Sequence, residues 1–212
     1  MRLVTDPGDN KDARPALVLF DLGGVLVHVG GVQHMRDLAG IDSDEEVWER
    51  WLTCEWVRRF ERGRCDAEEF ATGIVADWRL PITPTEFAEN FRGWATGHMP
   101  GAPELVAEVR ATTPVGCLSN SNALQWDAHH ALGVGDWFDH VFLSHELDLI
   151  KPDAEVFDHV ASALGLAPAD ILFLDDNALN VDAAIAAGFD ARLTKGVDQA
   201  RSVLVDAGVV SP

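Results

Sequence analysis

Four short, largely apolar runs constrain the fold of this chain most: LVLF at 17–20, VGCL at 115–118, HVFL at 140–143 and ILFL at 171–174. Apolar residues at consecutive positions cover both faces of a strand, the pattern of a parallel sheet buried between helices. Helical spacing fills several intervals. Val156, Phe157, Val160, Ala161 and Leu164 recur with helical period in 152–166, and the segment 180–187 ends at Gly188, a favourable residue just beyond a helix. Strands alternating with helices predict an α/β domain with a mainly parallel sheet and helices on both faces. With 212 residues and 47% of them hydrophobic, the chain has enough apolar material for a sizeable core.

The stretch 32–98 follows a different pattern. SDEEVWERWLTCEWVRRF begins with Ser43 and Glu46 in capping-box spacing and puts Val47, Trp48, Trp51, Leu52 and Phe60 on one broad helical face. DAEEFATGIVADW repeats the device with Asp66 and Glu69, ahead of Phe70, Ile74 and Trp78. In TPTEF, Thr83 caps, Pro84 takes the first helical position and Glu86 sits where a reciprocal cap belongs. This insertion predicts a small helical bundle.

Polar residues follow the predicted strands, where ligands of open α/β sheets bind. Asp21 follows LVLF, Ser119 and Asn120 follow VGCL, Lys151 lies in the loop after HVFL, and Asp175 and Asp176 follow ILFL. If the strands are neighbours, these groups converge. Clustered Asp21, Asp175 and Asp176 repel one another, so either a proton is trapped or a cation sits among them, and a hard divalent cation is the simpler answer. Carboxylate and carbonyl oxygens suit Mg²⁺, which shares its coordination with substrate phosphate. Lys151 adds positive charge, and the Ser119 hydroxyl and nearby backbone N–H groups can donate to anionic oxygens. The set describes a phosphate site in which Asp21 can act as nucleophile. Gly23 and Gly24 let the chain turn tightly and approach the phosphate, with the Gly23 carbonyl free to face a metal.

FDLGGVLV, LSNSN, the Lys151–Pro152 pair and FLDDNALN, in this order, resemble the four motifs of the haloacid dehalogenase (HAD) superfamily, most of whose members are Mg²⁺-dependent phosphatases. The resemblance runs from about residue 16 to 196, and separations of 98, 32 and 24 residues between Asp21, Ser119, Lys151 and Asp175 leave room for a helical cap after the first motif. FERGRCDAEEF, with the DLGG and DDNALN forms, looks most like the subgroup containing bacterial alpha-glucose-1-phosphate phosphatase. The resemblance implies a Rossmann-like core over 16–31 and 99–212, a substrate-selecting cap over 32–98 and a flexible tail over 1–15. It implies Asp21 as nucleophile and metal ligand, the Gly23 carbonyl and Asp176 as further ligands, and Asp175 orienting a metal-bound water. Ser119 and Asn120 would hold the phosphoryl group, Lys151 would stabilise its charge, and Asn180 would support the metal shell. Most phosphatases of the superfamily carry an acid two residues after the nucleophile, where this chain has Gly23. Such a chain can be slow, favour good leaving groups or take its acid from elsewhere, with cap residues such as Glu55, and His28 just beyond the first motif, as candidate donors.

The expected partner is a small phosphorylated metabolite, with no nucleic acid and no membrane: 35 acidic against 16 basic residues give a net charge of -19, which repels nucleic acid and anionic membranes. Cys54, Cys65 and Cys117 are too few and too scattered for a disulfide framework or a zinc site, and residues 1–14 hold no apolar segment of signal-peptide length, so the expected location is the cytoplasm. Two alternatives stand beside the phosphatase. One is a haloacid dehalogenase-type hydrolase using Asp21 without metal, whose relatives lack paired acids such as Asp175 and Asp176. The other is a non-catalytic interaction protein that keeps the fold.

Overall fold

The computed structural model of the chain describes residues 14–212. Most of the tail expected over 1–15 therefore lies outside the described residues. Arg14 is anchored, its guanidinium donating to the carbonyls of Gly208 and Val209 at 3.0 and 2.7 Å.

The apolar runs form the centre of a parallel sheet. Strands β1 (Leu17–Phe20), β4 (Val115–Ser119), β5 (His140–Leu143), β6 (Ile171–Asp175) and β7 (Asp190–Leu193) pair in the order β5-β4-β1-β6-β7. Every pairing is parallel. Alternate residues feed opposite layers. Val18, Phe20, Val115, Cys117, Leu172 and Leu174 face a core completed by Leu105, Val106 and Val109 of α6 (Ala102–Arg110) and by Ala200 and Leu204 of α11 (Gly196–Asp206). Leu17, Leu19, Leu118, Ile171 and Phe173 face the other way, against α9 (Ala154–Leu164) and α10 (Ala178–Ala186). Helices α7 (Ala123–Ala131) and α8 (Ser144–Leu147) complete this part of the chain.

Between β1 and β4 the chain leaves and returns along an antiparallel ribbon of β2 (Val27–Val29) and β3 (Ala95–His98). The ribbon straddles the boundaries drawn from the sequence, which put its strands in different domains. Between its strands lie α1 (Val32–Ala39), α2 (Asp44–Thr53), α3 (Glu55–Glu61), α4 (Ala67–Trp78) and α5 (Pro84–Arg92). Their shared core includes Met35, Val47, Phe60, Phe70, Ile74, Phe87 and Phe91.

The caps form with one difference. Asp66 with Glu69 and Thr83 with Glu86 make complete reciprocal boxes. At α2 only half forms: the Ser43 hydroxyl accepts from the Glu46 amide at 3.1 Å, and the return bond is not made. The broad face expected over Val47 to Phe60 is also broken. Cys54 adopts an extended backbone between α2 and α3, which resets the helical phase and leaves Trp48 38% exposed while Val47 and Phe60 stay buried. Among the described residues no helix is long and apolar enough to cross a membrane.

Phe70 is the centre of the bundle, stacked on Phe60 at 4.3 Å and edge-on to Phe91 at 5.2 Å. Phe70→Ala should therefore cost about 3–5 kcal/mol in urea unfolding. A loss under about 1 kcal/mol would show that the aromatic cluster does not hold the helices.

Candidate active site

Parallel pairing brings the C-terminal strand ends together. Phe20 is in register with Cys117 on one side and Leu174 on the other, so Asp21 emerges between Leu118 and Asp175. The backbone N–H of Asp21 donates to the Leu174 carbonyl at 2.8 Å. Beyond it the chain turns sharply. The Leu22 carbonyl accepts from Leu26 and Val27, and the Gly24 amide returns to the Val27 carbonyl. Gly24 has φ +71°, and a Cβ there would meet the Asp176 carboxylate oxygen at 2.2 Å. Its glycine identity thus serves both the turn and the approach of Asp176.

Lys151 lies at the centre of the floor and is buried. Its ammonium donates to Asp21 Oδ1 at 2.8 Å, Asp175 Oδ2 at 2.6 Å and the Leu118 carbonyl at 2.9 Å. Burial opposes its charge, but Asp175 and Asp21 outweigh burial and hold its pKa above the ordinary lysine range. Asn120 fixes the lysine's backbone from both sides. Its amide nitrogen donates to the Lys151 carbonyl and its amide oxygen accepts the Lys151 N–H, each at 2.9 Å. The side chain expected to hold a phosphoryl group thus also positions Lys151, using its oxygen and one of its two amide N–H groups.

Asp175 is similarly committed. Besides Lys151 it accepts the Asn177 amide at 2.8 Å and the Asn180 side chain at 3.0 and 3.1 Å. A carboxylate has about four lone-pair sites, and these contacts use them, so Asp175 suits a supporting role better than direct coordination. One oxygen each from Asp21, Asp175 and Asp176 nevertheless lies within 4.8 Å of the others. Burial pushes the Asp21 carboxyl up to about 7 against the pull of Lys151, with Asp175 and Asp176 adding to the rise. Burial also raises Asp176, followed by the charge of Asp175. Three carboxylates against one ammonium leave negative charge in excess, and oxygen donors of this kind match a hard divalent cation.

Above this floor is a cavity of about 560 Å³ lined by core and bundle residues together. Gly23 and Ser119 lie on its core side, and Trp51, Trp94 and Glu61 on its bundle side. His28, one candidate acid, also lines it, whereas Glu55, the other candidate, is exposed and outside it. Trp56 is outside as well, packed against Gly73 under Arg59. His129 lines the cavity with no partner at Nε2, and burial lowers its pKa. Glu61 and His129 went unnoticed in the sequence, although Glu61 sits within the quoted FERGRCDAEEF segment.

Residues 15–188 match the haloacid dehalogenase-like hydrolase family. The chain is 24% identical over 183 residues to a D-ribitol-5-phosphate phosphatase of Bacteroides thetaiotaomicron, covering 82% of this chain and 88% of that protein. It is 28% identical over 189 residues to an (S)-2-haloacid dehalogenase of a Pseudomonas species, covering 81% and 79%. The crystal structure of the HAD family enzyme bt-2542 from Bacteroides thetaiotaomicron, in complex with magnesium and inorganic phosphate, superposes with a TM-score of 0.68. That match has 22% identity and covers 85% of this chain and 94% of the other.

Removing the central cation should leave buried acids unpaired. Lys151→Met should cost about 3–5 kcal/mol in urea unfolding. The loss should be larger at about pH 8 than at about pH 6, because a carboxyl whose folded pKa is raised favours the folded state most when protonated. A pH-independent loss would mean that the lysine acts through packing alone.

Proposed function

The chain belongs to the haloacid dehalogenase-like hydrolases, and from that premise we propose that it is a Mg²⁺-dependent phosphatase. Its substrate is a small phosphorylated metabolite, a sugar or sugar-alcohol phosphate, hydrolysed through an aspartyl phosphate on Asp21. The observation that carries this reading is the group of three carboxylates beside a buried lysine at the floor of a cavity between core and bundle. A metal-free dehalogenase has no use for that excess of negative charge.

In this reading Asp21, Asp176 and the Gly23 carbonyl hold Mg²⁺, and Asp175 keeps Lys151 and Asn180 in position around them. The bound cation neutralises charge between the attacking carboxylate and the phosphate. Asp21 attacks phosphorus through the oxygen not paired with Lys151. The Ser119 hydroxyl and the backbone N–H of Asn120 bind the phosphoryl oxygens, and the positive charge of Lys151 stabilises them as their own charge develops. The bundle acts as the cap, excluding water and selecting the organic part of the substrate. Trp51 and Trp94, both lining the cavity, offer flat apolar faces of the kind that sugars stack on. The D-ribitol-5-phosphate phosphatase relative and the resemblance to the alpha-glucose-1-phosphate subgroup both favour such substrates. The cytoplasm is the proposed location, in keeping with Cys54, Cys65 and Cys117 as free thiols.

Phosphate release from D-ribitol 5-phosphate, glucose 1-phosphate and p-nitrophenyl phosphate, with Mg²⁺ and with EDTA, tests the reading. Release should require Mg²⁺ and fall to background in Asp21→Asn while the variant stays folded. Halide release from 2-chloropropionate in EDTA, with no phosphate release in Mg²⁺, would replace it with the dehalogenase.

A further inference from the structure

Hydrolysis of an alkyl phosphate needs a proton for the departing oxygen and then a base for the attacking water. The floor supplies neither freely. Asp21 is the nucleophile, both Asp175 oxygens accept hydrogen bonds, Asp176 faces the cation position, and the Lys151 ammonium is divided between two carboxylates and a carbonyl.

Among the roof acids that line the cavity, Asp44 and Glu61, only Glu61 is not exposed. Glu61 ends α3, next to Phe60, whose ring is stacked on Phe70. The same helix is tied to the Lys151 loop, because Arg58 and Arg62 both pair with Asp153, two residues beyond the lysine. Arg64 extends this link, pairing with Asp148 at 2.6 Å. A single network therefore ties the helix that ends in Glu61 to the loop that carries Lys151. Glu61 lines the same cavity as Lys151 and Trp51. Burial raises its pKa to about 7 against the opposing pull of the Trp51 indole, Lys151 and Arg58. The other ionisable groups facing the cavity are less suited. Asp44 is exposed and paired with Arg36 at 3.1 Å, His28 is exposed on the ribbon, and burial disfavours the protonated form of His129.

We infer that Glu61 protonates the leaving oxygen and then serves as base for water, an inference that rests on the phosphatase reading above. As an Asp21 oxygen bonds to phosphorus, the phosphorus–alkoxy bond breaks and the alkoxy oxygen takes the Glu61 proton. In the second half, water bonds to phosphorus, its proton passes to the Glu61 carboxylate, and the bond to Asp21 breaks. Inorganic phosphate and both starting side chains result.

Glu61→Gln keeps the shape and removes the proton exchange. With D-ribitol 5-phosphate, kcat/KM should fall by about 100-fold or more. With p-nitrophenyl phosphate, whose phenolate leaves without a proton, kcat/KM should change little. The variant should instead release a burst of p-nitrophenolate equal to the enzyme and then turn over slowly, because the aspartyl phosphate waits for an activated water. In the wild type, kcat/KM for the alkyl substrate should fall as pH rises through about 7, the range set by Glu61, and that descending limb should vanish in the variant. Equal effects on both substrates, or no effect on either, without a burst, would overturn the inference and leave the phosphatase standing. A wild type that releases phosphate from neither compound would remove both.

Discussion

A lysine ammonium taken out of water costs several kcal/mol unless charges and hydrogen bonds replace its hydration. Lys151 meets that cost by drawing on adjacent strands: Asp21 beyond β1, the Leu118 carbonyl in β4 and Asp175 in β6. The same bonds that make its burial tolerable fix the relative heights of those strand ends. Asn120 holds the lysine's backbone, and Asn180 holds the second carboxylate. Most of the polar residues beneath the cavity therefore act through one buried cation. Because one ammonium faces three carboxylates, the floor stays short of positive charge. That shortage gives a divalent cation its place there.

The roof depends on a different interaction. Its aromatic cluster gives the bundle a core separate from those flanking the sheet. An isolated exposed ion pair adds little stability. Here Arg58, Arg62 and Arg64 converge on Asp148 and Asp153, the residues bracketing Lys151, and Arg62 is largely shielded from solvent. The value of this network lies in register: it sets which roof residues stand over which floor residues.

The central strands were legible because each is apolar on both faces, and the strand-end acids were legible because parallel topology must bring them together. β7 was missed because this edge strand carries Asp190 and Arg192 and buries little. The ribbon strands β2 and β3 were missed because they are short and owe their pairing to the geometry of the insertion. Residue types marked Asn120 and Asp175 as polar members of the site, but not where their lone pairs would be spent. That depends on the register between the Lys151 loop and two strands, a long-range relation with no local signal. Glu55 and Glu61 look alike in sequence, and only the break at Cys54 and the phase of α3 turn one to solvent and the other to the cavity.

The turn after Asp21 shows how these constraints combine. Gly24 must be glycine because its backbone is left-handed and because Asp176 occupies the space of a side chain. Its carbonyl is also taken, accepting the Gly196 amide at 2.8 Å, which ties the turn to the start of α11. Gly23, one residue earlier, leaves the nucleophile's own loop without a proton-carrying side chain. The floor thus gains a close cation site and gives up a local acid. With Glu61 as the proposed donor, the proton for the leaving group comes from another structural unit, and the proposed chemistry then depends on the Arg–Asp network that holds the bundle over the sheet as much as on the residues at the strand ends.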